Sequence, residues 1–295
     1  MRIIILSVSE NIYSTNRLKQ EAETRGHDVR VVNHTKCSVL IGEGKPKIIY
    51  EGKNIINDAD AIIPRIGSSV FRHGAAVVKE FEMNGVYSVA TSLGIARAQN
   101  KVRTLQIMNR KNVSIPKTVF SINPDNIEEQ IELLGGAPVI IKLQEGTQGL
   151  GVMLAESKKS AKSIIDTFYN MDANILLQEF VKESNGEDIR VIVAGNKVVS
   201  AMKRIGVKGD FRSNIHRGGT GETVNLTSRE VKTAIKAARF LSLPVCGVDL
   251  IRSKKGSLLI EVNSTPGLQG IEAYTKVNVA IEIIKFLEKN VRRRF

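Results

Sequence analysis

Residues 2–7 form a short apolar run, residues 14–25 a polar stretch with helical spacing, and residues 28–33, after Gly26, a second apolar run. That order predicts β-α-β, since short unbroken apolar runs suit strands and a 3.6-residue repeat suits a helix. A strand at residues 61–64, a helix through residues 74–84 and a strand at residues 86–89 extend the pattern. Together they predict an N-terminal α/β domain over residues 1–94. No G-x-G-x-x-G joins strand to helix there, so the dinucleotide fingerprint is absent.

From Ile95 the pattern changes to helix, strand, helix, hairpin, helix and strand, which predicts α+β packing. Ile127, Ile131 and Leu134 follow Asn123 and Pro124 at helical spacing, and Ala161, Ile164, Ile165 and Phe168 repeat it. Apolar runs at residues 138–143 and 152–155 flank a glycine-rich connection, predicting a hairpin with a mobile tip. After a strand at residues 175–180, segments 188–194 and 197–203 flank Gly195-Asn196 as a tight hairpin. A polar loop over residues 206–221 precedes Thr227-Ser228-Arg229-Glu230, a capping box that opens a helix with Val231, Ala234, Ile235, Ala238 and Leu241 on one face. A last hairpin and a helix through residues 277–287 end the pattern, which divides into a central unit, 95–179, and a C-terminal unit, 180–295.

The 295 residues are 42% hydrophobic, enough for sizeable cores. No apolar run approaches the roughly 20 residues that span a bilayer, and the opening run is too short for a signal peptide, so the expected location is cytoplasmic, away from membranes. Cys37 and Cys246 lack metal-ligand spacing and read as buried small hydrophobes. A formal charge of +13 favours nucleotides, phosphate-rich particles or acidic polypeptides as partners. The few aromatic residues are not interleaved with basic ones, so no direct nucleic-acid function is expected.

The strongest chemical signal is the last hairpin. Cys246-Gly247-Val248-Asp249 and Glu261-Val262-Asn263 lie on strands around a turn near Lys255, which places Asp249 opposite Glu261. Glu261 and Asn263 then share a face, because strand side chains alternate. Opposed carboxylates repel without a cation, and hard oxygen ligands suit Mg²⁺. A one-residue slip would turn Asp249 to the other face, and the alternative is a solvated strand face where acidic and apolar residues happen to alternate.

Lys142 ends the apolar run Val139-Ile140-Ile141 and precedes Gly146, Gly149 and Gly151, so backbone N–H groups and one fixed ammonium could surround an anion. An ordinary turn is the competing explanation, and the P-loop pattern is absent. Lys101 opens a helical stretch, where its charge adds to a terminus that favours anions. Arg190, Arg204 and Arg212 can grip carboxylate or phosphate with two prongs, or form surface ion pairs.

The set resembles the ATP-grasp superfamily and, within it, the RimK-type glutamate ligases that modify the C-terminus of small-subunit ribosomal protein six. The matching stretches include Pro64-Arg65-Ile66-Gly67, Ala96 to Lys101, Gly135 to Lys142, Glu145 to Gly151, Gln178 to Val181, Asp210 to Gly219, Gly247-Val248-Asp249 and Glu261 to Gly267. The resemblance implies an N-terminal α/β pre-ATP-grasp domain and two α+β subdomains holding ATP between them. It implies Lys101 and Lys142 on the α- and β-phosphates under the loop of Gly146, Gly149 and Gly151. It places adenine on the backbone of Gln178, Glu179, Phe180 and Val181, and ribose on Asp188, with Arg190 also on the nucleotide side. Arg204, Arg212 and Asn214 would face the transferred phosphate. Asp249, Glu261 and Asn263 would hold two Mg²⁺, or Mn²⁺, ions.

The expected activity is an ATP-dependent carboxylate–amine ligase that adds glutamate to an acidic protein or peptide, a ribosomal small-subunit protein in the RimK case, through an acyl phosphate. A homo-oligomer is expected by base rate and family analogy. The alternatives are a ligase acting on a small molecule or an amino-acid carrier protein, and a non-catalytic ATP-binding regulator.

Overall fold

The computed structural model describes residues 1–42, 44–122, 126–144, 151–171, 173–207, 209–213, 215 and 218–291. Asn214, Gly146 and Gly149 therefore lie outside the described residues, as do the expected mobile tip and the Asn123-Pro124 helix start. No helix among the described residues is long and apolar enough to cross a membrane.

β1 (Arg2–Leu6), α1 (Tyr13–Thr24) and β2 (Asp28–Val32) form the expected β-α-β unit. An unpredicted small antiparallel sheet follows, built from β3 (Ser38–Leu40), β4 (Lys47–Tyr50) and β5 (Lys53–Asn54). β6 (Ala61–Pro64), α2 (Phe71–Met83) and β7 (Tyr87–Ser88) complete a parallel sheet in the order β2-β1-β6-β7. The chain builds outward from β1 to β2 and then returns to the other side of β1 at β6, so the order reverses between β1 and β6.

α3 (Ser92–Gln99) is capped by Thr91 and α4 (Lys101–Arg110) by Asn100, whose side chain accepts from Arg103 N at 2.9 Å. Strands β8 (Thr118–Phe120), β9 (Val139–Leu143), β10 (Val152–Ala155) and β11 (Ile175–Glu179) make an antiparallel sheet, with α5 (Ile127–Leu133) and α6 (Lys158–Asn170) between them in sequence. Ile127, Ile131, Leu134, Ala161 and Ile165 bury against this sheet and form a core of their own. The helical spacing seen in the sequence is thus the stripe that faces the strands.

β12 (Glu187–Ala194) and β13 (Lys197–Ile205) turn at Gly195, whose φ of +64° suits a residue without a Cβ. β14 (Thr220–Thr223), unpredicted, adds an edge strand that begins at the end of the expected polar loop. α7 (Ser228–Leu241) starts with the expected capping box of Thr227 and Glu230. β15 (Val245–Ser253) and β16 (Gly256–Asn263) form the last hairpin, followed by an unpredicted short α8 (Gln269–Thr275) and by α9 (Val279–Val291). The C-terminal sheet runs β14-β13-β12-β15-β16.

The first and last sheets share their cores. β1 sends Ile4 and Leu6 to a cluster containing Val191, Leu241 and Val248, and Ile3 and Ile5 to one containing Ile192, Ile271 and Ile284. The period of two that makes a strand apolar on both faces thereby joins the N-terminal sheet to the C-terminal one. Cys37 and Cys246 are buried free thiols, and burial pushes their pKa up to about 11 and about 12.

Candidate active site

β12 lies at the centre of the C-terminal sheet, with β13 on one side and β15 on the other. Ile189, Val191 and Val193 enter one core and Ile192 and Ala194 the other. Asp188 and Arg190 continue the second face, where apolar side chains give way to charged ones. Their neighbours across the sheet are complementary: Asp188 stands opposite Arg204, and Arg190 opposite Asp249.

Both pairs are two-pronged, the strongest geometry a guanidinium offers a carboxylate. Arg190 donates from Nε to Asp249 Oδ1 at 2.7 Å and from Nη2 to Oδ2 at 2.6 Å. Arg204 donates from Nε to Asp188 Oδ1 at 2.6 Å and from Nη2 to Asp188 Oδ2 at 2.5 Å, and Nη2 also reaches Asp249 Oδ2 at 3.0 Å. Burial by itself would raise the Asp249 pKa, but Arg190 and Arg204 outweigh it and hold the carboxyl at about 2. Burial also works against the Arg204 charge, and Asp249 and Asp188 outweigh it, so that guanidinium is held above the ordinary arginine value. Asp188 is 6% exposed, and both of its oxygens are engaged by Arg204, so a ribose hydroxyl could reach it only by displacing that arginine.

Glu261 stands directly opposite Asp249, and Asn263 opposite Gly247 on the same strand. Asn263 turns its Nδ2 toward Asp249 Oδ2 at 3.4 Å. Gly247 leaves room for this edge: a Cβ there would come within 3.0 Å of Pro266 Cβ. Glu261 is exposed, and its side chain makes no hydrogen bond or ion pair with any described residue. Crowding by protein, and then the Asp249 charge, raise its pKa against the pull of Lys101, Arg190 and Lys142. A carboxylate hemmed in by protein yet wetted lines the wall of an open cleft.

The opposite wall comes from the central sheet. Lys142 lies between Val152 and Leu176 in the ladder and donates to Gln178 Oε1 at 2.7 Å, while Gln178 Nε2 donates to Thr118 at 2.9 Å. Burial, opposed by the charges of Glu261 and Asp249, lowers the Lys142 pKa to about 8. Lys101, at the first position of α4, donates to the Gln144 carbonyl at 3.1 Å. Gly151 has φ of +75°, and a Cβ there would meet the Leu143 side chain at 2.5 Å, so the described end of this hairpin needs glycine.

Lys101, Lys142, Arg190, Arg204, Asp188, Asp249, Glu261 and Asn263 therefore gather around one cleft, with Gln178 tied to it through Lys142. Glu179 ends β11, its Oε1 accepting from Lys117 N at 2.8 Å, and Phe180 and Val181 follow. Arg212 is placed differently. Its Nε and Nη2 donate to Asp210 at 2.9 and 3.0 Å, outside the Asp188–Asp249 network. Loop residues two apart satisfy each other there, which spacing alone does not reveal.

The donor set suits a hard divalent cation. Glu261 and Asn263 carry oxygen donors, and no described residue neutralises the Glu261 charge by contact; both Asp249 oxygens are already held by Arg190, one of them also by Arg204, so Asp249 would join a cation only by releasing an arginine. One residue near the cleft that the motifs gave no role is Arg65, just past β6. Its signal in the sequence is its place at the carboxyl end of a buried strand, where open α/β sheets collect ligands.

Residues 1–95 match the RimK pre-ATP-grasp domain family and residues 98–287 the RimK-like ATP-grasp domain family. A Vibrio atlanticus protein named probable alpha-L-glutamate ligase is 51% identical over 292 residues, covering 99% of this chain and 97% of its own length. Among solved structures, the ATP-grasp ligase PsnB with minimal precursor, Mg and ADP superposes with a TM-score of 0.76 at 16% identity, covering 99% of this chain and 98% of that one. A RimK domain ATP-grasp protein from Sphaerobacter thermophilus superposes with a TM-score of 0.73 at 18% identity, covering 97% of this chain and 99% of that one.

Proposed function

Because this chain belongs to the RimK-like ATP-grasp family, we propose that it is an ATP-dependent ligase that joins the amine of glutamate to the carboxylate of an acidic peptide or protein. The observation that carries the reading is the facing of Glu261 and Asp249 on one wall of the cleft by Lys101 and Lys142 on the other. Two carboxylates and two ammonium groups are what a metal-bound nucleotide tail requires on its two sides. The name carried by the half-identical relative supplies glutamate as the amine.

In this reading Lys101 and Lys142 hold the α- and β-phosphates, with backbone N–H groups of the Gly146, Gly149 and Gly151 segment as further phosphate donors, and the backbone from Gln178 to Val181 receives adenine. Asp249, Glu261 and Asn263 would hold two Mg²⁺ ions, which would supply screening of the phosphate charge and polarisation of the γ-phosphoryl group. Arg190 and Arg204 hold Asp249 in its ionised form and aimed at the cleft. Arg204 stabilises negative oxygen on the transferred phosphate, joined by Asn214 from the following loop and by Arg212 if it releases Asp210.

The acceptor carboxylate attacks the γ-phosphorus, forming an acyl phosphate and releasing ADP. The free amine of glutamate then attacks the acyl carbon, an amide forms, phosphate leaves and the amine loses a proton. No side-chain nucleophile enters either step. An acceptor on the ribosomal small subunit fits the +13 charge of the chain.

The test is to supply ATP, Mg²⁺, single amino acids and candidate acceptors, and to follow ADP release together with acceptor mass. The reading expects glutamyl additions to an acidic C-terminus and ADP release that requires both substrates. ADP release without mass gain on any peptide, but with a small-molecule acceptor, would move the enzyme to the small-acceptor class.

A further inference from the structure

Beside the cleft lies a half-buried cation, Arg65, with no counter-ion among the described residues. Arg65 follows β6, and its N–H donates to the Leu6 carbonyl at 2.8 Å, fixing it at the carboxyl edge of the parallel sheet. That edge is at the point where the strand order reverses, between β1 and β6, the position at which open α/β sheets form a ligand crevice. Arg65 Nη2 donates to the Pro266 carbonyl at 2.9 Å. Its Nε is sealed from solvent and has no partner, and no carboxylate among the described residues pairs with the guanidinium.

Pro266 belongs to the segment that leaves Asn263 of the metal-ligand set. Immediately before it, the hydroxyls of Ser264 and Thr265 are also buried without partners. The segment is held at its other end by Leu268 N donating to Ser14 Oγ at 2.9 Å, so it bridges the two sheets. Leaving one buried polar atom unsatisfied costs about 1–3 kcal/mol, and three in one corner point to an absent acceptor. A planar donor fork tied to the segment that carries two unpartnered hydroxyls fits a carboxylate. Burial lowers the Arg65 pKa to about 10, which leaves it charged at neutral pH.

We propose that Arg65, with Ser264 and Thr265, forms a subsite for a non-reacting carboxylate of the substrates, beside the end of the strand that carries Asn263. Its owner is the incoming glutamate or an acidic residue of the acceptor, which share this chemistry. Anchoring that group keeps it from the γ-phosphate and selects for an acidic substrate. The proposal rests on the ligase reading above and adds the residues that recognise charge.

The experiment compares kcat/KM for wild type, Arg65→Met and Arg65→Lys. Incoming substrates are glutamate and its two mono-carboxamide analogues, and acceptor peptides carry glutamate or glutamine beside the reacting end. In wild type, one carboxamide replacement should lower kcat/KM by about tenfold or more, and its position identifies the owner. Arg65→Met should reduce that discrimination to about twofold, and Arg65→Lys should keep part of it because charge survives without the fork. Discrimination as strong in Arg65→Met as in wild type overturns the subsite. If Arg65→Met does not fold, undiminished discrimination in Arg65→Lys overturns it equally. An active wild type with indifferent variants refutes the subsite alone, whereas a wild type inactive with every amino acid refutes the ligase reading and the subsite with it.

Discussion

Asp249 lies opposite Glu261, although Leu250, its neighbour, lies opposite Leu259. Ile260 is the extra residue of a β-bulge in β16. Its effect is visible in the core, where Leu259 and Val262, three apart in sequence, enter the same cluster. In a regular ladder Glu261 would share the face of Leu259 and point into that core; the bulge turns it, with Asn263, toward the cleft. Deleting Ile260 should therefore give a regular ladder in which Leu259 and Glu261 alternate, leaving Glu261 and Asn263 on the cleft face and ATP turnover within about tenfold of wild type. Abolished turnover in a folded deletion variant would show that the carboxylate needs the bulge itself and not only the face it selects.

Glu261 carries a charge that works against stability. Its pKa is raised, so its charge opposes folding at neutral pH and this penalty is relieved as pH falls through its folded pKa. Glu261→Gln should reduce ATP turnover by about 100-fold or more while raising Tm by roughly 1–2 °C, a small gain because solvent screens an exposed carboxylate. Calorimetric melting with and without Mg²⁺-ATP checks both: the nucleotide should stabilise wild type and not the variant.

Arg204 holds two buried carboxylates at once. Arg204→Met should destabilise the fold by about 3 kcal/mol or more, since Asp188 and Asp249 lose a buried partner. Urea unfolding gives the value, and Arg204→Lys should recover only part of it because an ammonium cannot bind both oxygens in a fork. A change near zero would mean that the network is not a structural keystone.

Lys142 should write its titration into nucleotide binding. With a free-enzyme pKa of about 8, it is charged below that pH and neutral above it. Affinity for a non-hydrolysable ATP analogue should weaken by roughly tenfold as pH rises beyond that value, and Lys142→Arg should remove the break. Equilibrium titrations across this range read the effect directly.

Glu230 ties α7 to the last hairpin through Arg252 at 2.8 Å, Ser257 at 2.6 Å and the Thr227 N–H at 2.8 Å. Burial alone would raise its pKa, but Arg252, Ser257 and Thr227 hold it at about 2. A depressed carboxyl contributes stability above its ordinary pKa and loses it as pH falls through the folded one. Wild type should therefore lose stability between about pH 4.5 and pH 2, and Glu230→Ala should flatten part of that acid limb at a cost of about 3 kcal/mol at neutral pH.

The strands and helices with strong periodicity were readable from sequence, as was the Thr227–Glu230 capping box. The small β3–β5 sheet was not, because Ser38–Leu40 is half exposed and carries no apolar alternation. Asp249 opposite Glu261 was readable, but the route to it was not: a uniform register around Lys255 reaches the same pair without the bulge that the backbone uses. Single residues also concealed their partners. Arg212 finds Asp210 two positions away, and Asp188 spends both oxygens on Arg204, so neither ion pair follows from residue type and spacing.

The most direct measurement is to give the enzyme ATP, Mg²⁺, glutamate and an acidic peptide whose terminal carboxylate carries heavy oxygen, and to weigh the phosphate released. A carboxylate attacking the γ-phosphate must leave one of its oxygens there, so the account predicts labelled phosphate in step with each glutamyl addition. Unlabelled phosphate accompanying glutamylated peptide would contradict it.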